Sequence, residues 1–298
     1  MNRRIIISAS ILLALQSGSV LADSTFRAAA GLSYGETDYK DTQKNKNTDL
    51  SFEFYFTPVE KKSHPWREAA FLEHTSSLSL ELGKETATPT DTGQSYDGSS
   101  FALGGDYASK SNPLIVSAIY SASERSANLP TYKYKSEARA KGIGIGAYLS
   151  QPLAILAYFS TAKYKTTYDN FPQINSDDSS NLYGILTKYV YEMPQQQALN
   201  LELGISFFNY KPEGSSTEKN NSVDFSTTYY FNPKIGITGE LSLQSGDSDF
   251  FKGTQYGLGV NAFVTENLSL AAKYSSFNSD SSDGVDNNEW NISLAWLF

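Results

Sequence analysis

The stretch Trp290-Asn291-Ile292-Ser293-Leu294-Ala295-Trp296-Leu297-Phe298 decides how the chain is read. Large apolar residues stand at 290, 292, 294, 296 and 298, with mostly small or polar residues between them. A period of two gives a strand one apolar face. The sequence ends on Phe298 with no polar tail. In a soluble domain such a strand would be an edge open to aggregation. In a membrane barrel it closes the ring against the first strand.

The same alternation recurs backwards along the chain. Leu268, Leu270, Ala272 and Tyr274 form one face, as do Tyr256, Leu258, Val260 and Ala262, and Val223, Phe225, Thr227, Tyr229 and Phe231. Further upstream, Leu50, Phe52, Phe54 and Phe56 oppose Asp49, Ser51, Glu53 and Tyr55. Phe26, Ala28, Ala30, Leu32 and Tyr34 begin the series. Residues 153–164 are apolar on both faces near their start, which leaves their register open. Polar connections of roughly eight to fifteen residues (40–47, 86–99, 123–137, 166–180, 211–221, 246–253 and 278–288) follow the odd strands. Tight Asn- or Pro-containing turns follow the even ones, except after the second. Short turns on one side, long loops on the other and an even strand number are the pattern of an outer-membrane barrel. The expected fold is all-β: a transmembrane antiparallel up-and-down barrel of about fourteen strands with periplasmic termini.

The other end of the chain fits export. Asn2-Arg3-Arg4 is basic, Ile5 to Leu15 is mostly apolar, and Val20-Leu21-Ala22 offers small residues for cleavage before Asp23. Residues 1–22 are expected to be a signal peptide and 23–298 the barrel. The apolar run is shorter than the roughly 18–20 residues a spanning helix needs. Removing Arg3 and Arg4 takes the formal charge from -8 by two to -10. That balance suggests no nucleic-acid partner. Cysteine is absent, so stability must come from a core or from closure. The expected location is the bacterial outer membrane. The expected partners are outer-membrane lipid and lipopolysaccharide, the barrel assembly machinery (which would read the terminal Phe298), and small solutes or ions. No cofactor is expected.

Aromatic residues fall at two levels in this register. Phe26, Phe56, Tyr107, Phe231, Trp296 and Phe298 are expected at the periplasmic rim, and Tyr34, Phe101, Tyr120, Tyr256, Tyr274 and Trp290 at the outer rim, as interfacial girdles. The opposite face carries Asp49, Glu53, Glu81, Asp106, Glu202, Asp224, Glu240 and Glu289, with Arg27, Lys188 and Lys273 as basic counterparts. These are the expected pore-lining charges, and carboxylate rings favour cations. The alternative is that they pair with one another in a narrow, nearly closed barrel. Both histidines, His64 and His74, lie between the second and third strands. That placement argues against a His-based hydrolase or metal centre, and no enzyme is expected. Gly142-Ile143-Gly144-Ile145-Gly146 lies within an alternating strand and opens no helix, so it is no nucleotide loop. Inward glycines would instead leave lumen space.

One stretch does not alternate. Residues 63–72 suit a turn or two of helix, with Pro65 near the start and Ser63 as cap. Phe56-Thr57-Pro58-Val59, Pro65-Trp66-Arg67-Glu68-Ala69-Ala70-Phe71-Leu72, Ser76-Ser77 and the final Phe298 resemble the small outer-membrane porins known as putative general bacterial porins. Those carry Phe-x-Pro-Val, then Pro-Leu-Ala-Glu-Ala-Ala-Phe-Leu, a strand beginning Ser-Ser and a last Phe. Trp66 and Arg67 stand here in place of Leu and Ala. The resemblance implies a narrow, monomeric fourteen-strand porin passing water or small solutes. The segment would either partly plug the mouth or brace the wall, with bracing preferred. A surface adhesin or receptor with a largely closed lumen is the competing function.

Overall fold

A computed structural model describes residues 25–40, 42–61, 64–90, 95–128, 133–169, 175–247, 252–281 and 284–298. The expected signal peptide and Ser63 lie outside them. The strands are β1 (Thr25–Tyr39), β2 (Gln43–Glu60), β3 (Ser77–Pro89), β4 (Tyr96–Ser109), β5 (Asn112–Asn128), β6 (Lys133–Ser150) and β7 (Leu153–Tyr168). They continue as β8 (Ser176–Glu192), β9 (Ala198–Lys211), β10 (Glu218–Asn232), β11 (Ile235–Gly246), β12 (Gly253–Phe263), β13 (Leu268–Ser279) and β14 (Asn287–Leu297). Each pairs antiparallel with its neighbours in sequence, and β1 pairs with β14 to close the ring.

The final strand closes the barrel through Leu32 opposite Leu294 and Tyr34 opposite Ile292. The Phe298 amide donates to Ala28 O at 3.0 Å, and the amides of Arg27 and Ala28 donate back to Phe298 O at 2.8 and 3.2 Å. Closure leaves no second sheet to cover the outer face. That face carries exposed Leu32, Leu50, Phe52, Leu80, Leu103, Ile143, Ile145, Ile185, Leu203, Ile237, Leu258 and Leu294. Apolar area in water is unfavourable by about 25 cal/mol per Å², so this ring belongs in lipid and a soluble sandwich is excluded. Among the described residues no helix is long and apolar enough to cross a membrane; the crossing is made by strands.

The long connections differ from expectation. β5 and β6 run to Asn128 and from Lys133, and β7 and β8 run to Tyr168 and from Ser176. Most of the polar residues read as loop are paired hairpin. Pairing satisfies the backbone in water as well as in lipid, while the apolar alternation stops at the interface. The wall is uneven: β5 to β8 have 17, 18, 16 and 17 residues, against 12, 11, 12 and 11 in β11 to β14. About 9–11 residues suffice to cross a bilayer, so β5 to β8 project well beyond it.

Candidate functional site: the lumen and the segment that crosses it

After β2 the chain turns into the barrel. Trp66–Glu68 form a single 3-10 turn and Ala69–Leu72 one turn of α-helix, here α1. No side chain caps either start. The Trp66 amide donates to Pro233 O, beyond β10, at 2.9 Å. Its ring packs on Phe263 of β12 at 5.5 Å, with the Lys61 and Lys234 ammonium groups 4.7 and 4.5 Å from its centroid.

Glu68 is the centre of the contact. It is 4% exposed, lies 2.7 Å from Lys188 Nζ of β8, and accepts from Tyr230 Oη of β10 at 2.6 Å. Lys188 also meets Glu202 of β9 at 3.0 Å. Asn200 Nδ2 donates to both carboxylates, at 3.3 Å to Glu68 and 3.0 Å to Glu202. Buried charge persists only when it is paired and hydrogen-bonded, and here one lysine serves two carboxylates.

The segment is held on its other flanks too. Ala69 is fully buried in a cluster with Phe26, Tyr55 and Val59. Phe71 packs on Tyr148 of β6 at 5.3 Å, and Tyr148 Oη donates to Phe71 O at 3.2 Å. The Lys188 ammonium sits 5.0 Å from the Phe71 centroid. His74 stacks on Tyr148 at 3.5 Å, with a left-handed backbone (φ 49) that returns the chain to β3. His64 Nδ1 lies 2.5 Å from Glu192, and Lys110 bonds Glu73. Both histidines are therefore structural contacts at this end.

In a ring of fourteen strands, β9 stands diametrically across from β2. The segment leaves β2 and is bonded to β8, β9 and β10, so it crosses the lumen. Bracing of one wall, the preferred expectation, is corrected to a crossing plug. The seat explains β7: Leu156 and Ala154 face inward with Ile115, and Phe71 packs on that cluster. Ile155 and Phe159 face out. This strand is apolar on both faces because one meets lipid and the other meets the segment. Beside the segment is a cavity of about 90 Å³ lined by Glu53, Arg67, Phe71, Asp106, Leu156 and Lys188.

The inner face holds Asp49, Glu53, Glu81, Asp106, Lys188, Glu202, Asp224, Glu240, Lys273 and Glu289, on the parity opposite the exposed apolar residues. They divide into two groups. Lys188 and Glu202 are buried against the segment, Glu53 accepts from Tyr55 Oη at 2.7 Å, and Lys273 pairs with Glu240 at 2.6 Å. Asp49, Asp106 and Asp224 are instead held by the hydroxyls of Ser33, Ser117 and Ser222. Glu81 and Glu289 have no ion pair among the described residues.

Two expected positions are corrected. The β1–β2 register shifts between Phe26 and Ala28. The shift turns Phe26 into the barrel, where it is 2% exposed and meets Tyr55 edge-on at 5.3 Å, so it is no girdle residue. Arg27 is left exposed at this irregular end rather than carrying on the inward series.

The other aromatics face outward at two levels. Tyr34 meets Trp290 at 5.4 Å and Phe101 meets Tyr120 at 5.7 Å, with Tyr256 and Tyr274 exposed at the same loop end. Phe56, Tyr107, Phe231, Trp296 and Phe298 are exposed at the terminal end. The expected girdle left out Tyr183, stacked on Phe207, Tyr191, stacked on Tyr189, and Tyr229, edge-on to Phe231. Their alternation with the aliphatic band was the available signal. Sequence reading also missed the inward pair Arg125–Glu85 at 2.5 Å, of which Arg125 lies in the stretch 123–137 read as loop and Glu85 just before the stretch 86–99. Among the described residues no group of three or more His, Cys, Asp or Glu is placed to hold a metal.

Solved structures share this architecture. The outer membrane protein Omp33 of Acinetobacter baumannii aligns with a TM-score of 0.55 at 15% identity, over 92% of this chain and 99% of its own. The Pseudomonas putida toluene transporter TodX aligns with a TM-score of 0.52 at 8% identity, over 95% and 92%. At such identities the likeness is one of fold. No curated protein sequence matches the chain. The sequence model described as putative general bacterial porin matches residues 1–298. A closed ring of fourteen strands, an apolar outer face between aromatic belts and that match agree: the chain is an outer-membrane β-barrel that belongs to the putative general bacterial porin family.

Proposed function

We propose that this barrel is a narrow, cation-favouring channel for passive diffusion of ions and small hydrophilic solutes, with the crossing segment as its constriction. It works as a monomer, with termini and segment on the periplasmic side and the loop end outside. The observation that carries the cation preference is the unequal neutralisation of the inner face. Lys188, Lys273 and Arg125 are each committed to carboxylates. Asp49, Asp106 and Asp224 are held by hydroxyls, which leave their charge in place. Arg67, which has no ion pair among the described residues, offsets them only beside the cavity. A low-dielectric wall focuses such a surplus on ions in the lumen.

The reversal potential of purified protein in a planar bilayer, across a tenfold KCl gradient, tests the reading. Cation preference is expected, falling in an Asp49→Asn/Glu81→Gln variant. Anion preference, or no response to the substitutions, rejects it. A second reading has its own observation. Tyr134 packs on Tyr96 and Tyr168 at 5.6 and 5.4 Å inside the loop end, so both ends of the lumen are narrowed. A sealed barrel whose outer loops bind a partner would show no conductance at all.

A further inference from the structure

The outer wall carries a compact basic surface on β6 and β7, at the loop end. Outward residues of β6 are Ile145, Ile143, Lys141, Arg139 and Glu137, and those of β7 are Phe159, Thr161, Lys163 and Lys165. In register, Lys141 faces Thr161, Arg139 faces Lys163 and Glu137 faces Lys165. All four basic residues are exposed. Like charges directly opposite on one face of a sheet repel, and Arg139 and Lys163 are such a pair.

Little in the protein neutralises Lys141, Arg139 and Lys163, while Lys165 has Glu137 and Asp177 opposite it on either side. Glu137 is taken by Lys135 at 2.8 Å and reaches Arg139 only at 3.9 Å. Glu124 is likewise taken by Lys135, at 3.0 Å. Lys141, Lys163 and Lys165 have no ion pair among the described residues. The contrast is on β2, where outward Lys44 and Lys46 stand opposite Asp38 and Glu36 of β1, with Lys44 bonded to Asp38 at 2.8 Å. A chain of formal charge -8 has acid to spare, yet its outward carboxylates here are Glu137, Glu124 opposite it and Asp177 opposite Lys165, and none stands opposite Lys141, Arg139 or Lys163.

The height of the surface identifies its counter-ion. Lys141 lies opposite Tyr120, which belongs to the loop-end aromatic belt. Arg139 and Lys163 stand one outward residue further. Each such step is about 7 Å along a strand and about 5 Å along the membrane normal. The four cations therefore span the headgroup layer, directly above Ile143, Ile145 and Phe159, where acyl chains lie. We infer that this surface binds the phosphate-bearing headgroup of a lipid of the surrounding leaflet, with Arg139 as a bidentate donor and Lys141, Lys163 and Lys165 as point charges. Since the loop end faces outward in the function proposed above, on which this rests, the lipid is the phosphorylated glycolipid of the outer leaflet.

The test uses the full-length mature barrel in detergent, titrated with bisphosphorylated lipid A and, separately, with its dephosphorylated form, read by native mass spectrometry. Bound lipid A is expected to drop at least tenfold in Arg139→Glu/Lys163→Glu and several-fold in the milder Arg139→Gln/Lys163→Gln. It should be unchanged in Lys44→Glu/Lys46→Glu. Equal binding of the dephosphorylated lipid, or equal loss in the β2 variant, would overturn the inference. So would wild-type binding by the charge-reversed barrel. Orientation is read independently: Ser215→Cys, in the exposed β9–β10 turn of a cysteine-free chain, should react with an impermeant maleimide on intact cells. Failure there removes the outward loop end. Failure of lipid binding with Ser215→Cys labelled and conductance intact removes only the lipid site.

Discussion

Glu68→Ala is the sharpest perturbation of the constriction. In the docked state Glu68 holds Lys188 at 2.7 Å, accepts from Tyr230 at 2.6 Å and takes a third bond from Asn200 at 3.3 Å. Truncation leaves the Tyr230 hydroxyl buried without its acceptor and halves the carboxylate partners of a lysine that is 5% exposed. Breaking one side of a buried ion pair costs about 3–5 kcal/mol. The penalty falls on docking rather than on the wall. Once the segment is displaced, Lys188 and Glu202 still face each other, with water admitted around them. At about 1.4 kcal/mol per power of ten, the ratio of docked to displaced segment falls by roughly two to four powers of ten. Single-channel recording should show a small steady level in the wild type and a larger, frequent level in the variant. Heat-modifiable gel migration confirms that the barrel is intact. Glu68→Gln keeps an acceptor for Tyr230 and should fall between the two. A folded Glu68→Ala barrel with unchanged unitary conductance and no new level would refute the claim that Glu68 fixes a constriction.

Trp66→Ala removes the contact with Phe263 and the two lysine–ring contacts. Loss of a packed Trp costs about 3–5 kcal/mol, so the same larger level should appear in bilayer recordings. Deleting Phe298 removes the three backbone bonds that join it to β1. It should lower the folded protein in outer-membrane fractions and leave conductance per inserted molecule unchanged, and normal surface levels would argue against it. Gly184→Val should be destabilising by at least about 1–3 kcal/mol in thermal unfolding from detergent. A Cβ there would lie 2.4 Å from Ile205 O and 2.6 Å from Tyr158 Oη, and a wild-type melting temperature would show that the wall gives way more readily than this geometry allows.

The barrel was legible where lipid imposes a rule on sequence. Between Trp290 and Trp296, or Leu50 and Phe56, every second residue must be apolar, and the strand can be read by eye. Past the aromatic belts both faces are wet and the rule lapses, so the paired ends of β5 to β8 look like loop. Phe26 was misplaced because a register shift breaks the parity that the alternation assumes. The crossing segment was visible as an interruption, and its match to a family pattern marked Glu68, but its destination was not visible. Asn200 and Tyr230 lie 132 and 162 residues further along the chain. No local pattern announces a contact at that distance. The two-faced apolarity of β7 was the one trace, and it becomes readable only once Phe71 is seated on it.

The same separation orders events during biogenesis. Thirteen of the strand pairings join neighbours in sequence and can form hairpin by hairpin. The segment lies between β2 and β3, yet its anchors are on β8, β9, β10 and β12, so it must wait until most of the wall exists. Until then Glu68 is a solvated carboxylate and the nascent sheet has an open interior. Docking is therefore among the last acquisitions of the fold, and protease resistance of 61–75 in pulse-labelled cells would report completed molecules as distinct from merely inserted ones.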